Sequence, residues 1–241
     1  MRIAKIPSES VLFVHIETVP VVAHFEELSE TMRRIFRNKI AHIKEEERRV
    51  EEYFMERAAI WAEFSRVLCI SCGYIQGTDA FRVKSFYGDN ESALLAEFID
   101  LLNKHYNPSE HFLCAHNAKE FYFPFLCRRM LINNLQISDV LDLQGKKPWE
   151  STYLDTMDLW RFGDCRYFTS LELLAEVFHI PNNRGVKENE VYHMYYEKRK
   201  QWNNIVQRCE ESVQIVAQLF RKYRRENLLS KVITGKNSSF I

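Results

Sequence analysis

Residues 11–20, VLFVHIETVP, form an apolar, β-branched run stopped by Pro20. Such a run is stable as a strand where both of its faces are covered, in the middle of a sheet packed between other layers. This segment points to a layered α/β protein and places two polar side chains, His15 and Glu17, on its central strand. Residues two apart on a strand project from the same face, so both side chains reach one place.

The rest of the chain supplies the layers. From about Phe25 to Phe64 the sequence is helix-forming, heavily charged and free of Gly and Pro, and it reads as a solvated amphipathic helical insertion on the sheet. RVLCISCGYI and AFRVKSFYG are two strands around a turn at Gly77, Thr78 and Asp79, the pattern of a β-hairpin. ESALLAEFIDLLNKHY has helical spacing, and FLCAHN is a strand that enters the helix AKEFYFPFLCRRML. The polar stretch INNLQISDVLDLQGKKPWEST is a loop that leads into YLDTMDLW, a short strand or extended segment. TSLELLAEVF is a helix stopped by Pro181, NNRG a loop, and about Glu190 to Asn227 one long helical pattern. The expected organisation is a single α/β domain over residues 1–229, with the insertion at about 25–64 and a flexible tail at 230–241.

Lys and Arg number 33, as do Asp and Glu, so no overall field draws in a polyanion, and nucleic-acid binding would need a local patch. The opening MRIAKIPSES lacks the apolar stretch of a signal peptide and no later run is long enough for a bilayer, which makes a cytoplasmic protein without membrane contact the expectation. Cys69 and Cys72 have CxxC spacing, but on a strand residues three apart point to opposite faces, which argues against a shared metal.

Three separate words carry the chemistry: His15-Ile16-Glu17, the segment AHNAKEFYFPFLCRRM, and QRCEESVQIVAQLF on the last long helix. In these words, and in LDTMDLWRFGD, TSLELLAEVF and GKKPWE between them, the chain resembles the DNA polymerase B type of 3′–5′ exonuclease within the DEDD superfamily. The resemblance runs from about Val11 to Phe220. It implies an RNase H-like exonuclease fold, a central mixed sheet flanked by helices, and for active members a magnesium- or manganese-dependent hydrolysis of a DNA 3′ end. In such a site carboxylates hold hard cations that clamp the attacking and leaving oxygens.

The resemblance also marks what is replaced. The family's Asp-x-Glu falls on His15 and Glu17, the aspartate of its His-Asn-x-Lys-Glu-Phe-Asp-x-Pro word on Tyr122, and the tyrosine and aspartate of Tyr-Cys-x-x-Asp-Val on Arg208 and Ser212. Glu17 is the only retained ligand position, and a phenol is neutral at physiological pH and does not serve as a magnesium ligand. No metal or other cofactor is therefore expected, with magnesium or manganese as the requirement if family activity persists. Arg208 and Ser212, four apart on a helix, share a face, which leads to the expectation that Arg208 fills the metal's space and pairs with Glu17.

Asn117, Lys119, Phe121 and Arg128 are the residues expected to contact nucleic acid, with further basic clusters at Arg33, Arg34, Arg37 and Lys39, at Arg128 and Arg129, and at Arg221, Lys222, Arg224 and Arg225. Each cluster also fits a solvated helix face or a helix C-terminus. Asp155, Asp158 and Asp164 read as caps, loop bonds or solvated groups. The expected function is a non-catalytic, nucleic-acid-binding pseudo-exonuclease. The alternatives are a protein-interaction module on a vestigial nuclease fold and a residual metal-dependent 3′–5′ exonuclease. DNA versus RNA, the partner and the oligomeric state stay open.

Overall fold

The computed structural model of the chain describes residues 3–43, 48–146, 151–164, 166, 168–182 and 190–234. The VLFVHIETVP run is strand β1 (Val11–Pro20). It is joined by β2 (Ser65–Gln76), β3 (Ala80–Tyr87), β4 (Phe112–Ala115), β5 (Leu154–Asp155) and β6 (Lys231–Thr234) in a six-stranded sheet of order β5-β4-β1-β2-β3-β6. β1, β2 and β3 run antiparallel, whereas β4 is parallel to β1, β5 to β4 and β6 to β3, so the sheet is mixed.

Alternation along β1 sorts its side chains between two layers. Leu12, Val14 and Ile16 join one core with Leu94, Leu95 and Phe98 of helix α3 (Glu91–His105) and Phe125, Leu126 and Met130 of α4 (Phe123–Ile132). Val11 and Phe13 face the other core, with Leu174 of α6 (Leu171–Val177) and Val213, Val216 and Phe220 of α8 (Trp202–Tyr223). Phe13 packs edge-on to Phe220 with ring centres 5.3 Å apart. His15 and Glu17 share the parity of Val11 and Phe13 and therefore face α8. The same alternation separates Cys69, packed with Cys209, from Cys72, in the core under α3.

The insertion differs from the expected solvated helix. It contains two helices, α1 (Glu30–Ile40) and α2 (Val50–Arg57), folded over an aromatic core of their own. Phe36 is fully buried, with ring centres of Phe25, Phe54, Trp61 and Phe64 at 5.1–5.7 Å. These aromatics are spread over 40 residues, so only a chain reversal brings them together. Ser29 caps α1 by accepting from Met32 N at 3.2 Å.

Three further elements differ from the sequence reading. YLDTMDLW is strand for two residues only; the Asp155 carboxylate then accepts from Met157 N at 3.0 Å and starts α5 (Thr156–Arg161). The long pattern from Glu190 breaks into α7 (Glu190–Tyr192), a π-helical turn at His193–Glu197, and α8, with left-handed residues Arg199 and Lys200 between them. Tyr192, Tyr195 and Tyr196 donate to Ala23 O, Asp89 Oδ1 and Pro20 O, and these distant anchors override helical periodicity. Residues 231–234, expected in the frayed tail, instead form β6, where Asp79 O receives Ser230 N and Lys231 N. The rest of the tail, residues 147–150 of the loop and residues 183–185 lie outside the described residues. Among the described residues no helix is long and apolar enough to cross a membrane.

Candidate active site

β4 ends at Ala115, and His116 and Asn117 turn the chain out of the sheet. Asn117 takes a left-handed conformation at φ 69°, which asparagine tolerates better than most residues. Asp155, at the end of the neighbouring β5, fixes this turn: its Oδ1 accepts from Asn117 N at 2.9 Å and its Oδ2 from Lys119 N at 3.1 Å. A single buried carboxylate thus secures both the start of α5 and the turn after β4. The following π-helical turn, Ala118–Tyr122, carries Phe121 and Tyr122 back toward β1.

The residues that the sequence resemblance sets at ligand positions meet here. Tyr122 Oη lies 2.9 Å from His15 Nδ1, and His15 Nε2 lies 3.4 Å from Glu17 Oε1. Arg208, from the α8 layer, places Nε 3.4 Å from the same Glu17 oxygen and donates from Nη1 to Glu190 Oε2 at 2.6 Å. The result is a chain of polar groups running Tyr122–His15–Glu17–Arg208–Glu190. His15 and Glu17 are buried. Ser212 is fully buried, and its hydroxyl donates to the Arg208 carbonyl one turn back at 2.7 Å. Its hydroxyl thus bonds along its own helix, although the sequence had both residues pointing into one cavity.

His116 is held differently. Its Nε2 is 2.7 Å from the Thr169 carbonyl, which can only accept, so Nε2 carries the proton and Nδ1 accepts from the Thr156 hydroxyl at 2.9 Å. Burial pushes its pKa below the usual histidine value, against smaller opposing pulls from the Thr169 carbonyl, Asp155 and Glu172.

A cleft of about 590 Å³ opens beside this chain. Its walls are Ile60 and Trp61 from the insertion, Phe121 and Tyr122 from the π-helical turn, and Phe168 and Leu171 ahead of and at the start of α6. His15, His116, Asn117, Ser170, Glu120 and Glu172 complete the lining, which among the described residues contains no lysine or arginine. Of the residues expected to contact nucleic acid, Asn117 and Phe121 line the cleft. Lys119 and Arg128 do not: Lys119 pairs with Asp158 at 2.6 Å, and Arg128 lies exposed on α4 away from the cleft lining.

Several other cations are committed to structure. Arg161 pairs with Glu120 at 2.9 Å. Arg129 is buried and grips both oxygens of Glu91, and Arg224 bonds Glu226 and the carbonyl of Ile6. Lys39 sits 4.9 Å above the Trp61 ring, beside the cleft. Asp155 acts as a cap, Asp158 as a partner of Lys119, and Asp164 bonds Arg166. Sequence reasoning did not single out Trp61, Phe168, Glu172 or Glu190. Nothing local distinguishes them, although His116 stands in a word the family shares.

The folded chain is similar to a family B DNA polymerase from the hyperthermophilic archaeon Pyrobaculum calidifontis, with a TM-score of 0.53 and 12% identity. The match covers 90% of this chain and 27% of the polymerase, so the chain spans about a quarter of that protein's length. At this identity the likeness concerns the fold. No curated protein matches the chain. The sequence pattern of a family described as a predicted 3′–5′ exonuclease related to the exonuclease domain of PolB matches residues 59–234, nearly three quarters of the chain. The mixed sheet with helices on both faces, the likeness to the polymerase and this match agree, and the chain belongs to that PolB-related exonuclease family.

Proposed function

We propose that this protein is a catalytically silent member of its family that uses the cleft to hold single-stranded nucleic acid. The observation that carries the reading is the polar chain from Tyr122 to Glu190. It puts a guanidinium 3.4 Å from Glu17, the one retained ligand position. A pair of divalent cations needs several oxygen donors bearing negative charge. Here the donor set is an imidazole, one carboxylate, a phenol and a hydroxyl turned onto its own helix, with a permanent cation in their midst. These residues do not fit the metals.

The cleft beside that chain remains of ligand size and is walled by Trp61, Phe121 and Phe168, side chains on which bases stack. The test is a labelled-oligonucleotide assay with magnesium or manganese, run beside fluorescence anisotropy on single-stranded DNA and RNA. Binding without shortening is expected. Metal-dependent shortening that Glu17→Ala abolishes would sink the silent reading. A second reading, docking of a protein partner, draws on the exposed apolar side chains Phe162, Leu173 and Val177, and it moves ahead if no oligonucleotide binds at low salt.

A further inference from the structure

Charge is sorted within the insertion. Around α2, Arg48 pairs with Glu52 and Glu56, Arg49 with Glu52, and Arg57 with Glu56, so each of these cations has a carboxylate beside it. On α1 the pattern is different. Arg33, Arg34, Arg37 and Lys39 have no ion-pair partner among the described residues, although Glu30 stands one turn before Arg33 and Arg34. Arg34, Arg37 and Lys39 are exposed, and Arg33 is half-buried. Two of the four lie over rings instead: Arg37 is 5.2 Å from the centre of Phe25, and Lys39 is 4.9 Å from that of Trp61. A ring steadies a cation without neutralising it.

At 3.6 residues per turn, Arg33, Arg34 and Arg37 fall on one flank of α1 and Lys39 on the other, where Trp61 forms the cleft wall. Arg33 and Lys39 are about 9 Å apart along the axis, so the helix offers a row of charge rather than a point.

A lipid surface, an acidic protein segment and a nucleic-acid backbone all carry charge that complements such a row. An interfacial helix needs an apolar face to bury in lipid. α1 turns Phe36 and Ile40 into the insertion's own aromatic core and leaves Ile35 as its exposed large apolar side chain. Continuity decides between the other two: Lys39 and Trp61 join the row to the cleft, and a strand held in the cleft passes its backbone over α1. α1 precedes residues 59–234, which carry the family pattern, so this surface is not part of what that pattern shares.

We infer that α1 docks the phosphate backbone of a single-stranded nucleic acid, with Arg33, Arg34 and Arg37 on phosphates and Lys39 at the mouth of the cleft. This rests on the reading of the cleft as a nucleic-acid site and adds the path of the strand outside it.

The experiment is fluorescence anisotropy on the whole protein over a salt series, with a single-stranded oligonucleotide and an abasic oligomer of the same length. The triple variant Arg33→Gln, Arg34→Gln, Arg37→Gln is expected to bind both about tenfold more weakly at low salt. Its slope of log affinity against log salt should be shallower by about 2, since each phosphate contact on a single strand contributes about 0.7. Arginine-to-lysine changes at the same three positions keep the charge and should restore most of the binding. A control that removes three exposed cations from other elements, Lys5→Gln, Lys104→Gln and Lys198→Gln, should stay within about twofold of wild type. An unchanged slope in the α1 triple overturns the inference, as does an equal loss in the control or an abasic oligomer that fails to bind. In those cases an oligonucleotide that still binds wild type leaves the reading of the cleft standing. Silence of the oligonucleotide at low salt removes both. Polyglutamate that binds more tightly than the abasic oligomer would make α1 a site for an acidic protein, and tighter binding of phosphatidylserine vesicles a site for membrane; either overturns the assignment.

Discussion

Arg208 is the residue on which the site's electrostatics turn. Its side chain is 19% exposed and faces two carboxylates, Glu17 at 11% and Glu190 at 22%. Arg208→Ala leaves both without that counter-charge, and a loss of about 1–3 kcal/mol is expected from urea unfolding, since uncompensated charge in a partly dry site is costly. Adding Glu17→Gln should recover part of it; no recovery would mean that the pair with Glu190 carries the whole effect. His116 gives a pH signature with a definite sign. Its folded pKa is lowered by burial, so the unfolded chain binds the proton first as pH falls through about 6.5. The protein should lose stability from that point down to the folded pKa, and show no contribution from His116 above it. An NMR titration that finds the imidazole protonating at or above the ordinary histidine value would contradict the Thr156–Thr169 clamp.

At the scale of elements, the insertion is the part whose packing departs furthest from its sequence pattern. A solvated helix would tolerate Phe36→Ala within about 0.5 kcal/mol. Because Phe36 is fully buried among Phe25, Phe54, Trp61 and Phe64, the expected cost is about 3–5 kcal/mol. The loosening should appear in hydrogen exchange across residues 25–64 before it appears in the sheet. Trp61 belongs both to this cluster and to the cleft, so ligand binding should weaken in the same variant. Small change in exchange or binding would show the insertion to be an independent appendage. Glu91 accepts from Val67 N at 2.7 Å and from Arg129 Nε at 2.8 Å, tying α3, α4 and β2 together where the insertion returns.

For the whole molecule, the proposed absence of a carboxylate cluster makes the response to divalent cations the decisive property. The sheet brings β1, the turn after β4 and α8 to one place, and on the proposed correspondence four changes would turn that place into a carboxylate cluster. Manganese should leave the wild-type melting temperature unchanged. A variant with His15→Asp, Tyr122→Asp, Arg208→Tyr and Ser212→Asp gathers four carboxylates with Glu17. It should be less stable in chelator and gain several degrees with manganese, because the ions relieve the repulsion. A clear manganese stabilisation of the wild type, or none in the variant, would contradict this account of the site.

The sequence alone determined what depends on local pattern and on words long enough to be specific. The apolar run at 11–20 required a covered central strand, and alternation along it put His15 and Glu17 on one face. The segments around Tyr122 and Arg208 carried the family likeness, together with the residues that depart from it. Tertiary structure decided what depends on partners far apart in the chain. Arg208 lies 191 residues from Glu17 and 18 from Glu190, and only the docking of α8 on β1 made a shared cation of it. A charged stretch without Gly or Pro carries no local sign that Phe25, Phe36 and Phe54 will find one another, so the two-helix packing of the insertion was hidden. The pairing of individual cations was hidden too, because charge is visible in a sequence and its partner is not. Lys119, Arg129 and Arg161 each acquired a carboxylate only when distant segments closed around them.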